Sequence, residues 1–101
     1  MMKVLFVCNQ GKDRSPTAAI VWEKKYGDDT DYIGIYNDEF NHKEKIKWAE
    51  RVFVMEPHQR KWIADNFPKE YMRLKIECLD IPDMYGYMKN NLIDVLKKNF
   101  K

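Results

Sequence analysis

The sequence predicts an α/β fold: a four-stranded parallel sheet with helices on both faces, a three-layer sandwich. Three observations predict it. Short runs rich in branched and aromatic residues recur four times along the 101 residues, and strands buried on both faces read as such continuous apolar runs. Segments with apolar residues at helical spacing separate the runs, and strands alternating with helices build a parallel sheet. Glycine and proline fall between the segments without a repeat, low-complexity tract or linker, so a single domain over residues 1–101 is expected.

The first run, Lys3–Val7 (KVLFV), reads as a buried strand. A polar stretch follows, and Ser15-Pro16 opens a helix, with Ser15 as its cap and Pro16 in its first turn. Ala18, Ala19, Val21 and Trp22 lie along this helix, and Gly27 stops it. Tyr32–Tyr36 (YIGIY) is the second strand, and Asn41–Glu50 is a short charged helix with Ile46 and Ala49 inside. Arg51–Met55 (RVFVM) is the third strand, followed by a helix over Pro57–Phe67 that faces Trp62, Ile63 and Phe67 inward and ends at Pro68. Leu74–Ile81 is the fourth strand, broken by Pro82, and the last helix, Met88–Phe100, spaces Leu92, Leu96 and Phe100 four apart. Open parallel sheets bind ligands beyond the carboxyl ends of their strands. That rule puts the loop after the first strand and the segment Pro82–Tyr87 on one rim.

Composition narrows the function classes. Eighteen basic and 16 acidic residues give a net charge of +2, which offers no reason to expect nucleic-acid or membrane binding. Two cysteines, Cys8 and Cys78, make neither a disulfide framework nor a metal-ligand pattern. The apolar run near the N-terminus is too short for a signal peptide or a membrane span. A monomer in a reducing cytoplasm, with no metal and no other cofactor, is expected.

The chemistry concentrates in Cys8-Asn-Gln-Gly-Lys-Asp-Arg14-Ser15, between the first strand and the first helix. A loop so placed turns successive backbone N–H groups inward, and the helix N-terminus adds partial positive charge, so an oxyanion is its natural occupant. At its mouth the helix dipole and Arg14 favour the thiolate of Cys8, the nucleophilic form. The spacing of Cys8 and Arg14 lets the loop curl once, so that the guanidinium forks onto two phosphate oxygens with the sulfur beneath phosphorus. Ser15 can donate its hydroxyl to that sulfur. Asn9, Gln10, Gly11, Lys12, Asp13, Arg14 and Ser15 are therefore the phosphate-binding candidates, with Cys8 as nucleophile. The spacing alone is common, and a lone cysteine at a strand end is often a buried hydrophobe. Its setting between a buried strand and a Ser-Pro helix start is what favours the chemistry.

VLFVC, five residues, then RSPTA (Val4 to Ala18) resembles the low-molecular-weight protein tyrosine phosphatase family nearly letter for letter. Looser likenesses follow at Arg51–Arg60 and at Asp80–Gly86, and the chain is similar to a shortened member. The resemblance implies a flavodoxin-like, phosphotyrosine phosphatase I-like fold and a cysteine-dependent phosphomonoester hydrolase. By the same resemblance this is a protein tyrosine phosphatase acting through phosphocysteine on phosphotyrosine protein or a small aryl phosphate. The chain departs from the family pattern in three places. Gln10 and Gly11 replace the usual Gly and Asn, so the bracing that the Asn gives the loop must come from elsewhere. Asp13 stands where a second cysteine is usual, which excludes a disulfide across the loop and brings a carboxylate near the anion. Met84 replaces the proline after the acid.

Expelling the leaving oxygen requires a proton. The resemblance points to Asp83 as the acid, with Asp80 as competitor; either could instead be a turn residue. Tyr85 and Tyr87 either wall a substrate ring or simply pack at the surface. Trp22, Trp48 and Trp62 read as core. His42 and His58 receive no catalytic role, although His58 falls near the rim, and Cys78 reads as a buried, inert thiol. Arsenate reduction needs further cysteines. A phosphocarrier needs neither Arg14 nor Asp83, and a phosphate- or phosphopeptide-binding module without turnover would keep Arg14 and dispense with Cys8.

Overall fold

Val4, Leu5, Phe6 and Val7 are all fully buried, so both faces of β1 (Lys3–Cys8) lie in core in the computed structural model, which describes residues 1–100. β1 pairs in parallel with β2 (Asp29–Gly34) on one side and with β3 (Arg51–Val54) on the other, and β3 pairs in parallel with β4 (Lys75–Cys78). The strand order is β2-β1-β3-β4. α1 (Arg14–Tyr26) and α5 (Asn90–Asn99) cover one face, where Phe6, Phe53 and Met55 meet Trp22, Leu92 and Leu96. Phe6 stacks on Phe53 at 5.4 Å, and Trp22 and Phe100 close the cluster. Burying each such ring contributes about 1.5–3 kcal/mol. α2 (His42–Trp48), α3 (Pro57–Asn66) and α4 (Pro68–Arg73) cover the other face, where Leu5, Val7, Val52 and Val54 meet Ile46 and Ile63.

The architecture is the expected one, and the differences fall at the sheet edges and the helix starts. β2 begins at Asp29, earlier than the apolar pattern suggests, because an edge strand tolerates polar side chains such as Asp29, Thr30 and Asp31. β4 ends at Cys78, short of Ile81. Leu79 and Ile81 still donate to Val54 O and Met55 O, but Asp80 between them takes a φ of +54°, which interrupts the extended strand. Pro68 opens α4 rather than ending the helical region, since proline fits a first helical position. α1 starts at Arg14, so Ser15 lies inside its first turn and is not the cap. Trp22 is core, whereas Trp48 and Trp62 are half-buried. Among the described residues, no helix is long and apolar enough to cross a membrane.

Asp28 ties the N-terminal edge together, accepting the indole N–H of Trp22 at 3.0 Å and the Met2 N–H at 3.1 Å. These bonds, the indole first, hold its carboxyl below the usual range. A depressed folded-state value contributes stability above the unfolded value and loses it as pH falls through the folded one. Asp28→Asn is therefore expected to lower Tm at neutral pH, with the gap to wild type closing on acidification through the carboxylate range. Thermal melts across a pH series check this.

Candidate active site

The chain leaves β1 at Cys8 and must curl before α1, and two glycines give it room. Gly11 has a φ of +70°, a left-handed conformation that side-chain-bearing residues avoid. Gly34, opposite Cys8 in the β1–β2 register, lies against the curl so closely that a Cβ there would stand 2.1 Å from the Gln10 carbonyl carbon. The residues after β2 continue its pairing: Ile35 donates to Cys8 O at 3.0 Å and Tyr36 to Asn9 O at 2.9 Å. Asn37 Nδ2 then donates to Gln10 O at 3.2 Å.

On the opposite side, Gln59 braces the loop from α3. It is fully buried, its Oε1 accepts the N–H groups of Met55 and Glu56 at 2.8 and 2.9 Å, and its Nε2 donates to Asn9 Oδ1 at 3.0 Å. His58 Nε2 donates to the same Asn9 oxygen at 2.6 Å and its ring stacks on Tyr36. The bracing that the sequence leaves open thus comes from Asn37, Gln59 and His58.

With the loop so held, the Gly11 N–H points at Cys8 Sγ at 3.2 Å, and Ser15 Oγ lies 3.0 Å from the same sulfur. Ser15 Oγ also lies 3.3 Å from Ile33 O, and its single proton goes to one acceptor or the other. A thiolate is the stronger attractor. Among the described residues, the N–H groups of Gln10, Lys12, Asp13, Arg14 and Ser15 donate to no protein acceptor. Four of these residues, Gln10, Lys12, Asp13 and Arg14, line a cavity of about 100 Å³ together with Cys8 and Asp83. That volume equals about three water molecules and suits one small oxyanion.

Arg14 is 1% exposed. Its Nη1 donates to Glu56 Oε1 at 2.6 Å and to Ile81 O at 2.7 Å. Its Nη2 approaches Asp83 Oδ2 only to 3.6 Å, an ionic contact beyond hydrogen-bond length. One edge of the guanidinium is therefore fixed by protein and the other remains for a ligand. Glu56 was not singled out from the sequence. The signal was present, since an acidic residue directly after a buried strand lies on the same rim as the loop.

The remaining candidates separate by place. Asp83 is exposed and lines the Cys8 cavity, whereas Asp80 accepts from Cys78 Sγ at 3.4 Å and lines a different one. Asp13 turns its carboxylate to the Tyr87 N–H at 3.1 Å, and Thr17 Oγ1 accepts from Met88 N at 3.0 Å, so α1 pins the segment that carries Asp83. Tyr87 is exposed, while Tyr85 is half-buried and packs against the core. His42 lies away from the cavity, with Nε2 2.9 Å from Gly34 O. Cys78 is half-buried rather than buried, because it sits on an edge strand. Burial pushes its thiol up; the Asp80 backbone N–H works against this, while the Asp80 carboxylate, as acceptor and neighbouring charge, adds to it. A thiol so disposed is a poor nucleophile. Among the described residues, no group of three or more His, Cys, Asp or Glu is placed to hold a metal ion.

Fold and loop together define an α/β protein with a cysteine-bearing loop of unpaired backbone N–H groups at its first strand-to-helix turn. Solved structures with this fold are the low-molecular-weight protein tyrosine phosphatase from T. tengcongensis (18% identity, TM-score 0.72, covering 98% of this chain and 92% of that one) and the tyrosine phosphatase Wzb from Escherichia coli K30 in complex with phosphate (14%, 0.73, 98% and 94%). The YwlE arginine phosphatase from Geobacillus stearothermophilus is a third (22%, 0.65, 98% and 83%). At these identities the likeness is one of fold. No family model matches the sequence, and no curated protein matches it.

Two substitutions test the construction of the loop. Gly34→Ala forces a methyl group into the backbone of Gln10 and is expected to cost about 3 kcal/mol, toward the top of the range for overpacking. Glu56→Ala leaves the buried Arg14 cation without its carboxylate and is expected to cost about 3 kcal/mol. Urea unfolding of each variant against wild type measures both.

Proposed function

We propose that the chain is a cysteine-dependent phosphomonoester hydrolase that acts on phosphotyrosine through a phosphocysteine intermediate. The observation that carries this reading is the setting of Cys8 Sγ, which receives the Gly11 N–H and faces the Ser15 hydroxyl on the wall of a cavity lined by Arg14. A cysteine serving only as core would need neither partner. The phosphatases of the same fold support it by analogy.

In the first step the Cys8 thiolate attacks phosphorus in line. The S–P bond forms as the ester P–O bond breaks, and Asp83 gives its proton to the departing oxygen. The free loop N–H groups and the open edge of Arg14 hold the equatorial oxygens as charge develops on them. In the second step Asp83 takes a proton from water as the water attacks phosphorus. The S–P bond breaks, inorganic phosphate leaves, and the sulfur departs as a thiolate stabilised by Gly11 N–H and Ser15 Oγ. Asp83 is preferred to Asp80 because it lines this cavity.

The rim supports an aromatic substrate. Tyr36, Met84 and Tyr87 are exposed large side chains on backbone that adjoins the loop: the Tyr36 N–H donates to Asn9 O, the Tyr87 N–H to Asp13, and Met84 follows Asp83. The high position of the Cys78 thiol argues against arsenate reduction, which needs a second reactive cysteine.

Steady-state hydrolysis of p-nitrophenyl phosphate and a phosphotyrosine peptide, without added metal, tests the reading. Cys8→Ser should abolish turnover while inorganic phosphate still binds. Asp83→Asn should slow the peptide by a factor on the order of 10²–10⁴ and the nitrophenyl ester far less, since a good leaving group needs little protonation. That signature in Asp80→Asn instead would reassign the acid. Faster turnover of a phosphoarginine peptide would move the substrate toward that of the arginine phosphatase, and phosphate binding without any turnover would leave a carrier or binding module.

A further inference from the structure

A second, larger cavity lies away from Cys8. It is a groove of about 510 Å³ between α1 and α5, with Ile20, Val21, Met88 and Ile93 as its apolar surface and Lys24, Lys25 and Lys97 around it. No Asp or Glu lines it. Among the described residues none of the three lysines has an acidic partner within ion-pair distance. All three are exposed, in the closing turns of α1 and α5. Helix C-termini favour cations, but that attraction is weak and leaves the ammonium groups open to an anion.

We infer that this groove binds a small anionic amphiphile, an aliphatic chain bearing one carboxylate or sulfate. The inference is independent of the chemistry at Cys8. The volume falls within the range of small-molecule sites, roughly 300–1,000 Å³. The aliphatic floor suits a hydrocarbon chain, and the lysine stems extend that floor while their ammonium groups meet the head. The floor is also built in advance. Met88 takes a φ of +56°, its N–H is held by Thr17 Oγ1 at 3.0 Å, and the adjoining Tyr87 N–H is held by Asp13 Oδ1 at 3.1 Å. A site that needs little ordering loses little affinity to it. A protein partner fits less well, since a stable interface covers about 800 Å² on each side and this is a local concavity.

Calorimetric titration with dodecanoate below its micelle concentration tests the inference. Saturable one-to-one binding is expected, with amide shifts at Ile20, Val21, Met88 and Ile93 rather than over Gln10–Asp13, and with no change when inorganic phosphate is in excess. Lys24→Glu combined with Lys97→Glu should weaken binding at least about tenfold. Lys43→Glu combined with Lys69→Glu, the same charge change on the opposite face, should not. Dodecyltrimethylammonium should not bind. No saturable binding of dodecanoate, equal binding of the cationic analogue, equal loss in both double variants, or shifts confined to the Cys8 loop would each overturn it.

Discussion

A guanidinium removed from water costs several kcal/mol unless its surroundings replace the lost solvation. For Arg14 the replacement comes from Glu56 at the end of β3 and from the carbonyl of Ile81 beyond β4. Three segments distant in sequence are thereby fixed to one cation: the start of α1, the turn into α3, and the segment that carries Asp83 two residues after Ile81. The curl of the loop after β1 follows from the same bond set, because Arg14 can reach both acceptors only if the chain between Cys8 and α1 folds back over the strand ends. The parallel sheet supplies the geometry by ending β1 and β3 side by side, and the buried cation makes that geometry obligatory.

The loop is held from its flanks, so its own N–H groups stay unspent. On the β2 side the absence of a side chain at Gly34 allows backbone to lie against backbone, and Asn37 caps Gln10 O. On the α3 side the buried amide of Gln59 joins the ends of β1 and β3 through Asn9. A loop braced by its own internal hydrogen bonds would have fewer donors left to face an anion. The departures at Gln10 and Gly11 are tolerable for this reason: the stiffness resides in neighbouring elements.

The fold was legible where physics is one-dimensional. β1 and β3 are apolar after their first residues, Lys3 and Arg51, because both faces are covered, and Gly27 stops α1 in the left-handed conformation that its residue type favours. The edges were less legible. β2 hides behind Asp29 and Asp31, and the backbone bend at Asp80 interrupts a segment that reads as unbroken strand. The cluster around Cys8 could be read from spacing and context. Gly34 and Gln59 could not, because their parts depend on which strand ends become neighbours, a consequence of sheet order. Ser15 read as a cap because serine before proline usually is one. Its place inside the first turn, two residues past the cap position, turns the hydroxyl toward Cys8 instead.

Asp13 and Asp83 show how a site proposed for an anion can carry acidic groups. The Asp13 carboxylate is engaged with the Tyr87 N–H at the loop's outer edge, so its charge is spent on joining the loop to the segment that carries Asp83. Asp83 is more than half exposed, with a side-chain accessibility of 57%, and its contact with Arg14 is 3.6 Å long. Such a contact is weak, because it is longer than a hydrogen bond and Asp83 keeps most of its water. On the proposed reading, an incoming phosphoryl group offers Arg14 Nη2 closer acceptors and displaces Asp83 at little cost. In the proposed reaction that exchange does two things at once. It completes the coordination of the equatorial oxygens, and it frees the carboxyl group to turn toward the leaving oxygen. The Glu56 and Ile81 contacts on the other edge of the guanidinium remain in place throughout, so Arg14 changes partners without changing position.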